Sequence, residues 1–435
     1  MRRKLVIFDD DPTGTQTVAD VAVMLRWSKE ACRKFMEGDE QTVFVSTNTR
    51  ALPREQAVAL VRDVRRAMEE EAAAAGVAPV FHLRGDSTLR GHVFAELEAI
   101  GDGTAASLFV PAFPECGRFT RGGIHYLDDG HTCRPVAETE YAADPVFGYT
   151  SVTMADWVNE ASGGAWQAVA VPLSRLRGEG APAIAAALLG AAAGTVVIPD
   201  AEREADLHTI AEGLALAEAA APGRSFAVRS ASSLARIRAG LRSKTIDAAN
   251  MEGAGRLLVV CGSCTTEATR QLRRLTEMTG AEPVTIPTRR VLADGAAAVV
   301  PELADRLREA LERRQFAIVA TERNRSARDG DLASGAQLMA ALTGLVRCVL
   351  PFCDGIVAKG GITSAQVAAD GMMAERAYVC GQLAAGVSLW QVATPGGRVL
   401  PYAVVPGNVG GEHTLADIAR KFGKQGDGAA GGGGD

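Results

Sequence analysis

Near its N-terminus the chain reads LVIFDDDPTGT, residues 5–15. Four apolar residues are followed directly by three aspartates, and then by the proline and glycine that are typical of turns. A short apolar run bounded in this way predicts a buried strand. Open parallel sheets bind ligands at the carboxyl ends of their strands. The stretch therefore predicts an α/β fold with an acidic loop at its ligand-binding edge.

The pattern of this first strand recurs along the chain. Short apolar runs, each followed by a polar or glycine-containing loop and then a longer helical pattern, are typical of βα units and a largely parallel sheet. Alanine-rich amphipathic helices are predicted between these runs at 54–75 and 181–193. Further strands of the first half are predicted at 42–45, 78–83, 107–113, 168–173, 195–199 and 225–228.

A second unit is predicted after residues 242–256, which are charged, weakly apolar and end in small residues, as linkers do. A length of 435 residues also exceeds one typical core. Strands of the second unit are predicted at 257–264, 282–287, 316–321 and 355–361. We therefore predict two α/β domains with largely parallel sheets and the active site in the interdomain cleft. The predicted boundaries are 1–245, 250–422 and a flexible glycine-rich tail at 423–435.

Composition restricts the class of protein. The net charge of -6 argues against nucleic-acid and membrane partners, since both present negative surfaces. The N-terminal apolar run is too short for a signal peptide, and no apolar run approaches the ~20 residues that span a bilayer. We therefore expect a cytoplasmic location. Cys261 and Cys264 have C-x-x-C spacing, but zinc would need a second suitable pair, so we interpret the spacing as chance.

The acidic loop contains Asp9, Asp10 and Asp11. Adjacent like charges raise one another's pKa, so three in a row are tolerated only where they are solvated or used. A carboxylate here could accept the proton of a sugar hydroxyl, or bind polyol hydroxyls. The alternative is a solvated turn in which an aspartate caps the next helix. We favour a site, because three consecutive acids exceed what a cap needs.

Two further loops combine hydroxyl groups with an arginine just past a predicted strand. An arginine fork suits a carboxylate ligand, and both loops should lie at the same sheet edge as the acids. The alternative is that Ser87 and Thr88 cap a helix at 92–100, while Arg90 forms an exposed ion pair. The two loops are STNTR, residues 46–50, and GDSTLRGH, residues 85–92.

The second half carries three glycine-containing loops after predicted strands. Glycines let backbone N–H groups approach phosphate oxygens, and a helix N-terminus favours the negative charge. Three such loops in one unit predict a nucleotide phosphate site, although the sequence has neither a Walker A motif nor a GxGxxG after a strand. The loops are CGSCTT (261–266), KGGITS (359–364) and PGNVGG (406–411).

Taken in order, the motifs DDDPTG, GDSTLRGHV, PAFPECGR, GSC, KGGITSAQVA and PGNVG resemble the four-carbon acid sugar kinase family. The resemblance extends to about residue 420 and implies a sugar-acid-binding domain followed by an ATP-binding domain. It also implies transfer of a phosphoryl group to the terminal hydroxyl of threonate, erythronate or 3-oxo-tetronate. The chain departs from the family at Asp9, where alanine is usual, and at Leu83 and Arg84, where lysines are frequent. These departures bear on the identity of the acid.

The resemblance also implies site residues, with ATP and Mg²⁺ as cofactors and no dedicated protein metal site. The partners are a small sugar acid and ATP, and the chain is compatible with a homodimer. The catalytic candidates are Asp10 and Asp11. The substrate-binding candidates are Asp11, Arg50, Arg84, Asp86, Ser87, Thr88 and Arg90. The nucleotide-binding candidates are Ser263, Lys359, Gly360, Gly361, Ile362, Thr363, Gly407, Asn408 and Gly410.

For a kinase we expect Asp10 or Asp11 to deprotonate the attacking hydroxyl, and Arg50 or Arg90 to hold the substrate carboxylate. A haloacid-dehalogenase-type phosphatase is the first alternative: Asp9 would be its nucleophile, with Asp11 beside it. Residues 44–48 and the pair Asp128 and Asp129 would then be its further motifs, but the second half would have no purpose. A non-catalytic sugar-acid sensor is the second alternative, and no additional DNA-binding or membrane module is visible in the sequence.

Overall fold

The computed structural model describes residues 2–246, 255–323, 332–407 and 409–422. Three predictions fall wholly or partly outside the described residues: the role of Asn408, the tail at 423–435 and the middle of the linker at 242–256. Before its undescribed part the linker pairs with a strand of the second half, because Ile246 N donates to Gln382 O at 2.7 Å.

Within the described residues, fifteen strands form one continuous sheet and three form a separate small sheet. The strands of the first half are β1 (Arg2–Asp9), β2 (Val21–Met24), β3 (Thr42–Ser46), β4 (Val77–Arg84), β5 (Ser107–Val110), β6 (Arg118–Arg121), β7 (Ile124–Asp128), β8 (Cys133–Pro135), β9 (Gln167–Val171), β10 (Thr195–Pro199) and β11 (Val228–Ser230). Those of the second half are β12 (Leu257–Cys261), β13 (Val284–Ile286), β14 (Phe316–Thr321), β15 (Gly355–Lys359), β16 (Arg376–Ala384), β17 (Val387–Ala393) and β18 (Val399–Val405).

Helices cover both faces of the large sheet, as in other α/β folds. They are α1 (Lys29–Glu37), α2 (Arg54–Ala75), α3 (Val93–Ile100), α4 (Met154–Ser162), α5 (Leu173–Glu179), α6 (Ala181–Gly190), α7 (Glu204–Ala220) and α8 (Ser232–Arg238) in the first half. The second half adds α9 (Thr266–Thr279), α10 (Thr288–Asp294), α11 (Val300–Arg314), α12 (Leu332–Val349), α13 (Gly361–Gln366) and α14 (Thr414–Phe422). The prediction of a helix at 54–75 is confirmed, and α2 ends there because Gly76 adopts a left-handed conformation with φ 67°.

The large sheet contains two parallel blocks, which confirms the predicted α/β class. The first block runs β2-β3-β1-β4-β11-β5-β10-β9 and the second runs β13-β14-β12-β15-β18. The hairpin strands β16 and β17 join the blocks through antiparallel pairings with β2 and β18. These bridging strands were not predicted from the sequence. The strand predicted at 225–228 begins a few residues too early, since β11 is Val228–Ser230.

The two halves also share a hydrophobic core. Ile7 and Phe44 of the first block belong to the same buried cluster as Leu258, Val260 and Trp390 of the second half. Burying an aliphatic or aromatic side chain of this size stabilises the fold by about 1.5–3 kcal/mol. The shared core and the β2–β16 pairing therefore hold the two blocks together.

One helix of this core was not recognised as a long apolar segment from the sequence. The window Ala333–Phe352, which contains most of α12, is long and apolar enough to cross a membrane by length and composition. In this structure its residues Leu342, Leu345 and Val346 are fully buried in the shared core. The segment thus packs as a core helix.

Strand register aligns the functional loops of each block. Asp9 at the end of β1 is level with Ser46 of β3 and Arg84 of β4, and Arg84 is level with Ser230 of β11. In the second block Cys261 of β12 is level with Lys359 of β15. The loops that follow these strands therefore emerge at the carboxyl edge of their own block.

Sheet twist brings these two edges together. Strands β1 and β15 run in opposite senses, because three antiparallel pairings lie between them. Six strand-to-strand steps separate them in the sheet order. At about −20 to −25° per step the twist accumulates to roughly 120–150°. This rotation turns the carboxyl ends of the oppositely running strands toward one cleft.

Candidate active site

A cavity of about 370 Å³ lies in this cleft, with walls from both halves of the chain. From the first half it is lined by Asp11, Arg50, Asp86 and Arg90, and from the second half by Ser263, Gly360, Gly361, Ile362, Thr363 and Gly407. Six other candidates lie outside the lining: Asp10, Arg84, Ser87, Thr88, Lys359 and Gly410. The structure thus brings ten of the predicted site residues into one space.

The acidic loop is wedged between the two halves. After the three aspartates the chain forms a short 3₁₀ helix, Pro12–Thr17. Trp390 Nε1 donates to Thr15 Oγ1 at 3.0 Å, and Gln16 Nε2 donates to Ser232 Oγ at 3.2 Å. A Cβ on Gly14 would lie 2.4 Å from the carboxylate oxygens of Asp9, so a glycine is required where the loop folds back. The alternative of a solvated capping turn is wrong, because all three aspartates are buried.

Arg84 contacts all three aspartates from beneath the loop. Its Nη1 lies 3.0 Å from Asp9 Oδ1, 3.5 Å from Asp10 Oδ1 and 2.8 Å from Asp11 Oδ1. The arginine is buried and does not line the cavity. Its position therefore suits support of the loop, whereas the sequence analysis had it among the substrate-binding residues.

Arg50 links the acidic loop to the loop after β4. Its guanidinium pairs with Asp11, and it lies 3.5 Å from both Asp10 Oδ1 and Asp86 Oδ1. Burial alone would raise the pKa of Asp86, but Arg90 and Arg50 outweigh it and hold that pKa well below its usual range. Asp86 is consequently an ionised carboxylate at the cavity wall.

The loop after β4 does not cap a helix, contrary to the alternative considered from the sequence. Helix α3 begins after His92, and the hydroxyl of Thr88 donates to Asp86. The backbone carbonyl of Ser87 accepts from His125 Nε2 at 2.8 Å. Arg90 is mostly covered, and its Nε donates to Asp86 Oδ2 at 2.9 Å. These contacts orient the arginine toward the cavity.

Two buried residues that the sequence analysis missed complete the network. Arg229 on β11 donates from Nη2 to Asp10 Oδ2 at 2.9 Å and from Nη1 to Glu96 on α3. A Cβ on Gly85 would lie 2.5 Å from Nη2 of this arginine, and one on Gly91 would lie 3.0 Å from it. The glycines of the GDSTLRGH loop therefore make room for the guanidinium. Arg229 directly follows the strand predicted at 225–228, and this position at the same sheet edge was the signal by which the sequence could have identified it.

Charge balance in this network bears on Asp9. Six carboxylates (Asp9, Asp10, Asp11, Asp86, Glu96 and Asp144) face four guanidiniums (Arg50, Arg84, Arg90 and Arg229). Burial raises the pKa of Asp9 to about 7, with Arg84 opposing the shift and Asp10 adding to it. Asp9 thus keeps its proton to a higher pH than an ordinary aspartate does.

The geometry does not provide a phosphatase site. Asp9 has no exposed surface and does not line the cavity, so it is inaccessible as a nucleophile. Asp128 ends β7 of the small sheet, and Asp129 Oδ1 accepts from the backbone N–H groups of His131 and Thr132 within one turn. Asp128 and Asp129, the proposed metal-binding pair of the phosphatase alternative, therefore belong to a surface turn.

The three glycine loops of the second half contact one another. A Cβ on Gly262 would lie 2.2 Å from Thr363 Oγ1, and one on Gly407 would lie 2.6 Å from Ser263 Oγ. Thr265 donates to the carbonyl of Gly407 at 2.8 Å and accepts from Ala268 N, which caps α9. The loops thus form one surface of closely packed backbone facing the cavity.

Lys359 lies beneath this surface. Its Nζ donates to the carbonyls of Pro406 at 2.6 Å and Val409 at 3.4 Å, and burial lowers its pKa to about 8. Arg323, which the sequence analysis missed, donates to Cys261 O at 3.1 Å and to Thr321 Oγ1 at 2.7 Å. Both cations stabilise the loops through carbonyl groups, and neither lines the cavity.

The remaining walls were not predicted from the sequence. One comes from the first turns of α12 and from Gln366, and the other from residues 139–149, which contain turns without helix or strand. All eight cysteines are described and free, and Cys261 is buried while Cys264 is exposed. The wall residues are Tyr141, Asp144, Pro145, Val146, Phe147, Gly335, Ala336, Leu338, Met339 and Gln366.

The acidic loop brings three carboxylates close together, as a metal site would. One oxygen from each of Asp9, Asp10 and Asp11 lies within 4.8 Å of the others, and Asp9 Oδ2 and Asp10 Oδ1 are buried without a hydrogen-bond partner among the described residues. Arg84 already contacts the whole triplet, however, and only Asp11 reaches the cavity. The triplet therefore does not suit a resident ion, and Asp11 is its one member that could meet a cation carried by a ligand.

Comparisons with known proteins agree with the division seen in the cavity. A sugar-binding N-terminal domain model matches residues 5–238, and a nucleotide-binding C-terminal domain model matches residues 258–415. The crystal structure of a Salmonella typhimurium LT2 protein superimposes with a TM-score of 0.65 at 18% identity, covering 97% of this chain and 100% of that chain. A Haemophilus influenzae protein superimposes with a TM-score of 0.59 at 16% identity, covering 96% and 100%. These structures share the fold.

Two curated relatives carry activity names. The chain is 32% identical over 301 residues to the D-threonate kinase of Bordetella bronchiseptica, covering 66% of this chain and 65% of that protein. It is 33% identical over 181 residues to the D-erythronate kinase of Heliobacterium modesticaldum, covering 39% and 37%. The matches therefore span 65% and 37% of the lengths of these relatives. With both domain models matched in order, the chain belongs to the four-carbon acid sugar kinase family.

Proposed function

We propose that the protein is an ATP-dependent kinase that phosphorylates the terminal hydroxyl of a small acid sugar of the threonate, erythronate or 3-oxo-tetronate class. One observation carries the proposal: one wall of the cavity is acidic and arginine-rich, and the opposite wall consists of packed glycine loops. The first wall suits a polyhydroxy acid and the second suits phosphates. The names of the two relatives support the same reaction.

Asp11 is the general base of this proposal. It is the one aspartate of the triplet that lines the cavity, and a Cβ on Gly361 would lie 2.5 Å from its Oδ2. It thus lies where the two walls meet, and its carboxylate accepts the proton of the attacking hydroxyl as the new O–P bond forms. Phosphoryl transfer depends mainly on positioning and charge stabilisation, so a base fixed by Arg50 and Arg84 suits it.

Asp10 takes a positioning role. Its carboxylate is held at 2.9 Å by buried Arg229, and it does not line the cavity. With Arg50 beside it at 3.5 Å, Asp10 orients that guanidinium toward the cavity. These contacts support Asp11, of the two catalytic candidates, as the base in this proposal.

Arg50 and Arg90 bind the substrate carboxylate in this proposal. Both line the cavity, whereas Arg84 and Arg229 are enclosed by their acidic partners. Guanidinium groups recognise carboxylates through paired N–H donors. Asp86 holds both arginines, so the carboxylate end of the substrate is placed beside the loop after β4.

The nucleotide phosphates are placed on the opposite wall. The first residues of α13, 361–363, line the cavity together with Ser263 and Gly407. Mg²⁺ would arrive with ATP, keep several waters and neutralise charge on the phosphates, and Asp11, the member of the acidic triplet that lines the cavity, would be available to it. Lys359 and Arg323 maintain the loops from behind.

Location and assembly belong to the same proposal. The eight free cysteines suit the reducing cytoplasm, where disulfides are rare. A homodimer stays a prediction. Neither point is needed for the chemistry of the cavity.

The test is to incubate the protein with MgATP and a panel of four- to six-carbon sugar acids while following ADP release. We expect ADP only when a suitable acid is present, and a phosphorylated acid as the second product. Asp11→Asn should abolish most of this turnover. Phosphate release from sugar phosphates without ATP would instead support the phosphatase, and binding of acids without ADP release would support the sensor.

A further inference from the structure

Residues 139–149 form a cavity wall that carries a carboxylate opposite a proposed substrate-binding arginine. Asp144 Oδ1 accepts from Val146 N at 2.9 Å and from Phe147 N at 3.0 Å, which fixes the turn. Tyr149 N donates to Ala142 O at 3.0 Å and closes the segment. One oxygen of Asp144 is thereby used by its own turn, and the other contacts Arg90.

That second oxygen faces Arg90. Arg90 is anchored on its own loop, because its Nε donates to Asp86 Oδ2 at 2.9 Å and to Thr88 Oγ1 at 3.2 Å. The ring of Tyr141 lies 5.1 Å from its guanidinium carbon. Its Nη1 contacts Asp144 Oδ2 at 3.4 Å, which is longer than the contact to Asp86. The pair across the cavity is therefore the weaker of the two ion pairs of Arg90.

We infer that Asp144 is a specificity-determining residue, whose carboxylate occupies the place on Arg90 that the carboxylate of the sugar acid takes. The inference rests on the proposed function, and it adds that Asp144 competes with the substrate carboxylate for Arg90. Both residues line the cavity and each side chain keeps 20% of its surface exposed, so an incoming acid can reach the pair. The acid must displace Asp144 Oδ2 or bind beside it against like charge.

This arrangement restricts which acids bind. When a ligand with one carboxylate binds Arg90, one negative charge is left without this partner, that of Asp144. A ligand with a second negative charge near Arg90 leaves two such charges. Two like charges a few ångströms apart near a protein surface repel each other, and dissolved salt screens part of this repulsion. Asp144 therefore lowers affinity for monoanionic acids moderately and disfavours dianionic ones more strongly.

Asp144→Asn tests the competition directly. The asparagine side-chain oxygen can still accept from Val146 N and Phe147 N, so the turn is kept while the negative charge is removed. Asp129→Asn is the matched control, since Asp129 Oδ1 also accepts two turn N–H groups but lies outside the cavity lining. The probes are D-threonate, D-erythronate and the uncharged polyol erythritol, measured by calorimetry without nucleotide.

We expect Asp144→Asn to bind the better of the two acids about tenfold more tightly than the wild type, as loss of one nearby like charge implies. Erythritol should gain nothing, and Asp129→Asn should match the wild type. In turnover the effect should appear in KM, since the removed charge acts on the carboxylate and not on the reacting hydroxyl.

Equal or weaker acid binding by Asp144→Asn overturns the inference, and so does an equal gain for erythritol, which would indicate a wider cavity. The proposed function is judged separately by ADP release. If Asp144→Asn binds acids more tightly but the wild type never releases ADP, the inference about Asp144 holds and the proposed kinase function fails. If the wild type releases ADP but Asp144→Asn binds acids no more tightly, the proposed kinase function holds and the inference about Asp144 fails.

Discussion

Substituting Gly361 tests the junction between the two walls of the cavity. The added Cβ of Gly361→Ala would lie 2.5 Å from Asp11 Oδ2 and 2.9 Å from its Cγ. The first distance is about 0.9 Å short of the 3.4 Å at which ordinary van der Waals contact begins. Asp11 has a short side chain held by Arg50 and Arg84, so it cannot turn away freely. The acidic loop and the glycine loop must therefore separate.

The expected cost is catalytic more than structural. A displacement of about 1 Å in a reacting group lowers turnover on the order of 10²-fold, or about 2.7 kcal/mol of activation free energy. Overpacking at one site costs about 1–3 kcal/mol of stability. We expect Gly361→Ala to remain folded in thermal denaturation and to lose about two orders of magnitude in kcat in the ADP-release assay.

Gly335→Ala is the matched control for this change. Gly335 lines the same cavity, and a Cβ added there meets no atom within 4 Å. Alanine should even stabilise α12 by up to ~1 kcal/mol. If Gly361→Ala turned over as fast as Gly335→Ala, the contact with Asp11 would not belong to the reacting geometry, and the assignment of Asp11 as the base would fail.

Three further predictions concern the buried charges. Asp11→Asn should lower kcat by about 10²–10⁴-fold, and Asp10→Asn, outside the cavity, should lower it less; the reverse order in the ADP assay would make Asp10 the base. Because the folded pKa of Asp9, about 7, lies above its ordinary value of 3.8, the wild type should lose stability relative to Asp9→Asn as pH rises through this window, measured by denaturant unfolding. Arg229→Met should cost about 3–5 kcal/mol by leaving Glu96 buried without a cation and by removing the nearest cation of Asp10, and adding Glu96→Gln should recover part of this loss.

Much of the site could be predicted from the chain because parallel strands have a simple geometry. The apolar runs that end at Asp9, Ser46 and Arg84 are contiguous in sequence, and every residue after such a run emerges at the same edge. The acidic loop and the loop of Asp86 and Arg90 were found in this way. Glycine loops are visible for the same reason, since their chemistry depends on backbone that neighbours in sequence form together.

The residues that were missed have partners far away in the chain. Arg229 meets Asp10 across 219 positions, and Asp144 meets Arg90 across 54. Neither carries a local pattern, because a single charged residue in a turn or at a strand end has many possible partners. The bridging hairpin of β16 and β17 was missed as well, since the alternation of buried and more exposed residues along β16 is a weak signal beside the apolar parallel strands.

The sequence by itself determined the α/β class, the acidic loop after β1 and the separation of the acidic and arginine-bearing loops from the glycine loops into two halves, because these follow from local periodicity and composition. Only the tertiary structure decided that Asp11, and not Asp9 or Asp10, faces the cavity and that Arg84 supports the loop from below. The reason is physical: sheet twist sets where the two edges meet, and burial among arginines sets which carboxylates are enclosed. Both depend on contacts between residues that are distant along the chain.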